Sequence, residues 1–245
     1  MKFLSPAKLN LDLRIISKRN DGYHNLETTF QLINLFDEIS FEEKDKSSSI
    51  SCDGLDIEPE NNLIFKSLDA ISKHCNLDKG IQIHLKKIIP AGAGLGGGSS
   101  NAATTLIALN KIWDLNLSTE ELVNIGKGLG ADVPIFIYGK NAVATGIGDV
   151  LSDIELKKNK YLLICPNIEV STSKMFRKLR INELDPKHQN SFLDNLLKEH
   201  KSIKEFHKSF VNDYDLKLSG TGSTLFIGYE NKDELEKIIQ KIPKN

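Results

Sequence analysis

The segment Pro90-Ala91-Gly92-Ala93-Gly94-Leu95-Gly96-Gly97-Gly98-Ser99-Ser100 decides how the rest of the chain is read. It places five of the 17 glycines within seven residues and then runs into a helical pattern. Without a Cβ, glycine lets backbone N–H groups turn inward and approach a ligand closely, and a helix N-terminus adds unpaired donors and positive dipole. The stretch predicts an anion cradle, and a phosphate fits that description best.

Upstream of it, residues 81–85 alternate apolar and polar and predict a strand feeding the loop. Downstream, Ala102, Ala103, Leu106, Ile107, Leu109, Ile112 and Trp113 predict a helix buried on a wide face. Ser118 and Glu121 have the spacing of a capping box opening another helix, which Gly130 is expected to close as a left-handed cap. Asp132 then stands at a junction before Pro134, which stops a helix from continuing, so residues 135–138 are expected as an apolar strand. On local grounds alone an Asp at such a place is a turn or cap residue.

At the start of the chain, residues 8–15 alternate, with Leu9, Leu11, Leu13 and Ile15 on one face and Lys8, Asn10, Asp12 and Arg14 on the other. This is a half-buried strand, and two readings of its polar face stand: a solvated surface, or a cleft into which Lys8 and Asn10 point together. Residues 19–24 form a turn, and 28–39 are extended. Residues 44–49 and 53–62 read as surface loops, and 62–74 as an amphipathic helix. A strand and turn cover 142–148, and the charged stretch 155–160 is the expected boundary between a domain of residues 1–156 and one of residues 157–245. The second part opens with a buried strand at 161–165. Helices follow near 173–179, 192–200 and 203–210, then a small-residue loop at 218–223, a strand at 224–229 and a helix marked by Leu235, Ile238 and Ile239. Strands and helices mix without a strict βαβ repeat, so the class is α+β.

Composition narrows the function. With 32 basic and 33 acidic residues among 245, net charge is -1, and no overall field draws the chain to nucleic acid or to an anionic membrane. Any phosphate affinity is therefore local. Cys52, Cys75 and Cys165 are scattered and lack CxxC spacing, which argues against a disulfide framework or a thiolate zinc site and for a reducing compartment. No apolar run has the length of a membrane span, and charged residues interrupt the first 16 positions, so a cytoplasmic protein is expected.

Three familiar phosphate loops can be set against the glycine segment. Gly92, Gly94 and Gly97 match the dinucleotide fingerprint in letters, but the region where that fold needs a strand ending in an acid is Leu115-Asn116-Leu117-Ser118. A Walker loop needs a lysine that is absent between Pro90 and Ser100, and the His-Arg-Asp and Asp-Phe-Gly signatures of protein kinases are missing. A further loop type remains.

Four motifs together resemble the GHMP kinases: Pro6-Ala7-Lys8-Leu9-Asn10-Leu11, Arg19-Asn20-Asp21-Gly22-Tyr23-His24, the segment from Pro90 to Ala103, and Gly130-Ala131-Asp132-Val133-Pro134. Leu218-Ser219-Gly220-Thr221-Gly222-Ser223 is similar to the family's third glycine motif. The resemblance implies a two-domain fold with the active site in the cleft between a ribosomal-protein-like first domain and a ferredoxin-like second one. It implies transfer of the γ-phosphoryl of ATP, with Mg²⁺, to the 2-hydroxyl of the methylerythritol unit of a cytidine-diphosphate conjugate, a step of the non-mevalonate isoprenoid route. The partner would be that small molecule, acted on by a monomer or weak homodimer.

The resemblance also assigns roles. Asp132 falls where the family has its catalytic base and Lys8 where a lysine meets both that base and the acceptor hydroxyl. The chemistry is sensible, since a base must take the proton as the alcohol attacks and an ammonium polarises the alcohol. His24 would hydrogen-bond the cytosine and Tyr23 pack on it, although a turn histidine is by default a solvated one. Phe176 resembles the aromatic that sandwiches the base from the second domain, and Asn10 would contact substrate. Asn62 resembles an adenine-side contact, and Thr172 and Phe30 are further carry-overs to the acceptor site. No residue set for holding the metal follows. Two other readings remain: another kinase of the superfamily, acting on homoserine or mevalonate, from which the Gly22-Tyr23-His24 turn discriminates; and a non-catalytic nucleotide sensor, against which the presence of both Asp132 and Lys8 speaks.

Overall fold

The computed structural model describes residues 1–53, 62–185 and 188–243. Most of the loop expected at 53–62 lies outside them. Among the described residues the strands form a six-stranded sheet and a three-stranded one. In the larger sheet, β1 (Lys2–Lys18) and β2 (His24–Lys44) make a long antiparallel ribbon, with the Arg19 to Tyr23 turn between them. The far half of β2 pairs with β4 (Gly80–Lys86), which pairs in parallel with β3 (Ser49–Asp53). The near half of β2 pairs with β5 (Ala142–Thr145), which continues to β6 (Val150–Asp153). In the smaller sheet, β9 (Leu225–Tyr229) lies between β7 (Lys160–Ile164) and β8 (Leu216–Leu218), all antiparallel.

Helices α1 (Leu63–Cys75), α2 (Gly97–Ile112), α3 (Thr119–Lys127) and α4 (Val133–Tyr138) belong to the first part. Ile39, Phe41, Ile81 and Ile83 of the sheet share one core with Ile64, Ile71, Leu106 and Leu109 of the helices. Helix α2 is buried almost all round, so small residues such as Ala102, Ala103 and Ala108 let its neighbours approach. Helices α5 (Thr172–Lys178), α6 (Leu193–Glu199), α7 (Lys201–Phe210) and α8 (Lys232–Lys241) belong to the second part. Its core of Phe192, Leu196, Phe210, Leu225 and Ile238 also takes in Leu13, Ile15 and Leu26 from the long ribbon. The backbone reinforces that seam, with Leu13 N–H donating to Gln189 O at 2.8 Å and Ser191 N–H to Leu13 O at 2.8 Å.

Several expectations are corrected. Residues 135–138 are not a strand but most of helix α4. Pro134 sits in its first turn, where a missing N–H costs nothing and the fixed φ suits a helix, and Gly139 closes it with φ +72°. The run Ile135-Phe136-Ile137 reads as a strand because it is uniformly apolar, yet a short helix buried between α2 and α3 carries the same pattern. Helix α3 ends at Lys127, with Gly128 at φ -70°, and Gly130 is not among the left-handed glycines. There Gly130 instead lends its carbonyl to the Val133 N–H at 3.1 Å, starting the next turn. Strand β7 is only half-buried, and Cys165 is exposed, because β7 is an edge strand of its sheet. The capping box of Ser118 and Glu121 is present as expected.

Candidate active site

The glycine segment forms one wall of a cleft of about 350 Å³. A larger groove of about 760 Å³ between Asn159 and Lys237 is more open, and none of the motif residues lines it. What shapes the cradle is where its carbonyls go. Gly92 O accepts from Val170 N–H at 3.3 Å, and Ala93 O from Thr224 N–H at 3.1 Å. Gly94 O accepts from the Ser219 hydroxyl at 3.0 Å and from Lys8 Nζ at 3.1 Å, and Leu95 O from Lys8 N–H at 3.0 Å. In a trans peptide the carbonyl and the following N–H point opposite ways, so carbonyls tied back to the protein turn the next N–H groups the other way. Gly92, Gly94 and Gly96 hold φ of +60°, +77° and +73°, which a side chain would resist. At Gly94 a Cβ would also stand 2.3 Å from Ser219 O, so the approach of the two loops leaves no room for one.

Helix α2 starts at Gly97, behind the loop, and directs its first N–H groups to the same place. Pro90, Ala91, Gly92, Ala93, Gly94, Gly96, Gly97, Gly98 and Ser99 all line the cleft. Leu95 and Ser100 do not. Leu95 is 1% exposed and packs with Ala7 and Leu9 beneath the loop. Ser100 is fully buried, and its hydroxyl accepts from Ser5 Oγ at 2.8 Å, so both residues support the cradle from behind.

Opposite the loop, β1 delivers Lys8 and Asn10, which are 2% and 3% exposed. Of the two readings of that strand face, the cleft is the one found. Lys8 Nζ lies 3.3 Å from Asp132 Oδ2 and donates to Asn10 Oδ1 at 2.5 Å. Asp132 occupies the residue before α4, with φ -89° and ψ -4°, yet its side chain makes no capping bond. Its carboxylate therefore faces Lys8 and the cleft instead of serving the helix. Phe30, 2% exposed, lies beneath Lys8 with its ring centroid 5.4 Å from Nζ.

The other end of the cleft joins the two sheets. Thr172, at the start of α5, meets Thr221 across 3.1 Å between hydroxyl oxygens, and both line the cleft. Phe176 stands with its ring 5.6 Å from His24 and 4.7 Å from Phe192. His24 is largely buried, and burial together with the nearby Lys18 charge holds its imidazole below the ordinary histidine value. Tyr23 is 61% exposed, and its backbone N–H bonds Asp21. Asn62 caps α1, accepting Ile64 N–H at 2.9 Å, while its neighbour Leu63 lines the cleft. Residues missed by the sequence reading are Thr28, Ser219 and Thr221. The last two belong to a small-residue loop that was itself visible as a motif, whereas Thr28 had no signal beyond its strand.

Comparison with known proteins identifies the family. The GHMP kinases N terminal domain matches residues 62–140. The chain is 38% identical over 250 residues to the 4-diphosphocytidyl-2-C-methyl-D-erythritol kinase of Pseudoalteromonas translucida (strain TAC 125), covering 98% of this chain and 88% of that one. It is 38% identical over 253 residues to the enzyme of the same name from Haemophilus ducreyi (strain 35000HP / ATCC 700724), covering 98% and 90%. Among solved structures, a 4-(cytidine 5'-diphospho)-2C-methyl-D-erythritol kinase superposes with TM-score 0.84 at 28% identity, over 98% of this chain and 94% of that one. A mevalonate kinase superposes with TM-score 0.73 at 16% identity, over 98% and 95%, and shares the fold. At 38% identity over nearly its whole length to these enzymes, the chain belongs to the 4-diphosphocytidyl-2-C-methyl-D-erythritol kinase family of the GHMP kinases.

Proposed function

We propose that this chain phosphorylates the 2-hydroxyl of 4-diphosphocytidyl-2-C-methyl-D-erythritol with ATP, using Asp132 as general base and Lys8 as its cationic partner. The observation that carries this reading is the Lys8–Asp132 pair standing at the mouth of the phosphate loop. The triphosphate lies on the N–H groups of the loop and the start of α2. The acceptor hydroxyl sits between Asp132 and the γ-phosphorus. As its oxygen forms the new P–O bond and the bond to the β-phosphate oxygen breaks, the hydroxyl proton passes to Asp132. Lys8, donor-only and tied to Asn10, Asp132 and Gly94, stabilises the charge that gathers there.

His24 and Phe176 suit the cytosine, one offering a hydrogen-bonding edge and the other a face. Phe30 acts from below, as the floor of the Lys8 site, and Asn62 through the start of α1. The unit that holds ATP is residues 1–156, and residues 157–245 close the acceptor side. The acting species in this reading is a monomer or a weak homodimer. Among the described residues no helix is long and apolar enough to cross a membrane.

Mg²⁺ supplies neutralisation of the phosphate charge when bound. Among the described residues no cluster of three or more His, Cys, Asp or Glu side chains could hold a metal by itself. Such a cation would be carried mainly by phosphate oxygens and water. The Asp132 carboxylate and the Ser99 hydroxyl, both of residues in the cleft lining, would be the protein oxygens to help hold it.

The test is ATP-to-ADP turnover with the cytidine-diphosphate substrate, homoserine and mevalonate in parallel. Turnover with the first alone is expected. Turnover with homoserine or mevalonate instead would overturn the substrate, and ATP binding without turnover on any alcohol would favour a sensor.

A further inference from the structure

Lys8 has three protons to donate, and three acceptors stand around it: Asn10 Oδ1 at 2.5 Å, Gly94 O at 3.1 Å and Asp132 Oδ2 at 3.3 Å. That arrangement requires the Asn10 side chain to present its oxygen, not its NH₂, to the ammonium. An amide can rotate to show either end, and the wrong end would set N–H against a buried cation. Something must choose.

The choice is made on the far side of the amide. Asn10 Nδ2 donates to Thr28 Oγ1 at 2.8 Å, and Thr28 Oγ1 in turn donates to the Asp12 carbonyl at 2.5 Å. A hydroxyl has one proton, and a carbonyl can only accept. With its proton committed to Asp12 O, the Thr28 oxygen can only accept from Asn10, so the end of the amide facing it must be NH₂. Both ends of the chain of bonds then agree: the carbonyl of Asp12 fixes Thr28, Thr28 fixes Asn10, and Asn10 offers its oxygen to Lys8. Thr28 is 1% exposed, so water is a poor substitute for its hydroxyl.

The backbone explains why the Asp12 carbonyl is there. Asn10 pairs with Phe30 but Asp12 with Thr29, which leaves Leu11 as an extra residue in β1. The Asp12 carboxylate pins this irregularity, accepting Thr29 N–H at 2.8 Å and the Thr29 hydroxyl at 2.9 Å.

We propose that Thr28 is a positioning residue of the phosphoryl-transfer centre, acting through Asn10 to hold the Lys8 ammonium against Asp132 and the phosphate loop. It touches no reacting atom in this scheme. The inference rests on the reading of Lys8 and Asp132 given above.

The experiment compares Thr28→Val and Thr28→Ser in the full chain, with kcat and both KM values measured and melting recorded. Val keeps the shape and removes the hydroxyl, and Ser keeps the hydroxyl. Thr28→Val is expected to lose about ten- to a hundredfold in kcat, the scale of a misplaced catalytic group, with KM for ATP little changed. Thr28→Ser should recover most of it. In an Asn10→Ala background, Thr28→Val should add nothing. Near-normal kcat in Thr28→Val, equal impairment in Thr28→Ser, or additive losses with Asn10→Ala would each overturn the proposal. Should Val fail to fold, Thr28→Ala against Thr28→Ser poses the same question, one hydroxyl apart. Asp132→Asn, run alongside, separates the two layers. If it is inactive while Thr28→Val is normal, only the role of Thr28 is lost; if it is active, the underlying mechanism is wrong.

Discussion

Lys8 Nζ stands 3.3 Å from Asp132 Oδ2 and bonds the Gly94 carbonyl at 3.1 Å, so a single buried cation joins the proposed base to the donor loop. The pair is asymmetric. The Lys8 side chain is 3% exposed and the Asp132 side chain 36%, so the carboxylate, on the open side, is the member an acceptor can reach.

Asp132→Asn should therefore remove turnover and little else. Loss of a general base and its charge is expected to lower kcat by about three orders of magnitude or more, with ATP binding retained. Steady-state ADP release checks the first part and calorimetric titration with ATP the second. Near-normal turnover would remove Asp132 from the role of base.

Two glycines of the loop should respond in opposite ways to alanine. At Gly94, φ +77° and a Cβ 2.3 Å from Ser219 O and 2.9 Å from Gly222 O combine strain with collision against backbone. A loss of about 3 kcal/mol of stability is expected for Gly94→Ala. At Gly98, in the first turn of α2, the nearest atom to a Cβ is Leu63 Cδ1 at 3.5 Å. Gly98→Ala should stabilise the fold by about 0.5–1 kcal/mol through lower unfolded-state entropy. Because Gly98 lines the cleft, the same methyl should raise KM for ATP. Urea unfolding and ATP kinetics on both variants check the contrast.

How much of this was legible follows from which forces are local. Glycine crowding and the capping box of Ser118 act within a few residues, so the cradle and the start of α3 could be read directly. The alternation of β1 announced a polar face but not its destination. Whether Lys8 met water or a cleft depended on α4 and the phosphate loop closing over it, which periodicity cannot express. Helix α4 was misread because a short element buried among helices loses its polar stripe, the only feature that separates helix from strand in an apolar run. Thr28 was invisible since its role is a proton count among four residues, set by a one-residue irregularity in β1. The site residues came from motif resemblance, and the structure distinguishes those that line the cleft from Leu95 and Ser100, which brace the loop, and from Tyr23, His24 and Asn62, which stand outside its lining.

A buried ion pair holds the approach to the loop. Asp37 is fully buried and accepts Ile88 N–H at 2.7 Å, Ile89 N–H at 2.8 Å and Lys87 Nζ at 2.8 Å, which wraps the end of β4 around one carboxylate. Asp37→Ala leaves a nearly buried ammonium without its partner and should cost about 3–5 kcal/mol. Lys87→Met added to it should recover part of the loss, since the two backbone donors stay unpaired. Equilibrium denaturation of the single and double variants measures the recovery, and a double variant no better than Asp37→Ala would locate the cost in the backbone bonds alone.

The acceptor side should carry the pH dependence of binding. His24 is held below the ordinary histidine value, first by burial and then by Lys18, so folding and neutrality of its ring favour each other. For a histidine depressed in this way, the stabilising contribution is full above about pH 6.5 and is lost as pH falls through the lower folded value. Recognition should follow the same direction. A neutral imidazole offers one donor and one acceptor to a cytosine edge, and protonation removes the acceptor. KM for the cytidine-diphosphate substrate is therefore expected to stay level from about pH 8 down to about 6.5 and to rise below that, while KM for ATP stays flat. His24→Gln should show a raised acceptor KM without the acid rise, because its amide does not titrate. Kinetics of both proteins across that range decide the point. An acid rise of equal size in the variant would assign the effect to another group, and a wild-type rise beginning well above pH 7 would contradict the lowered His24 value.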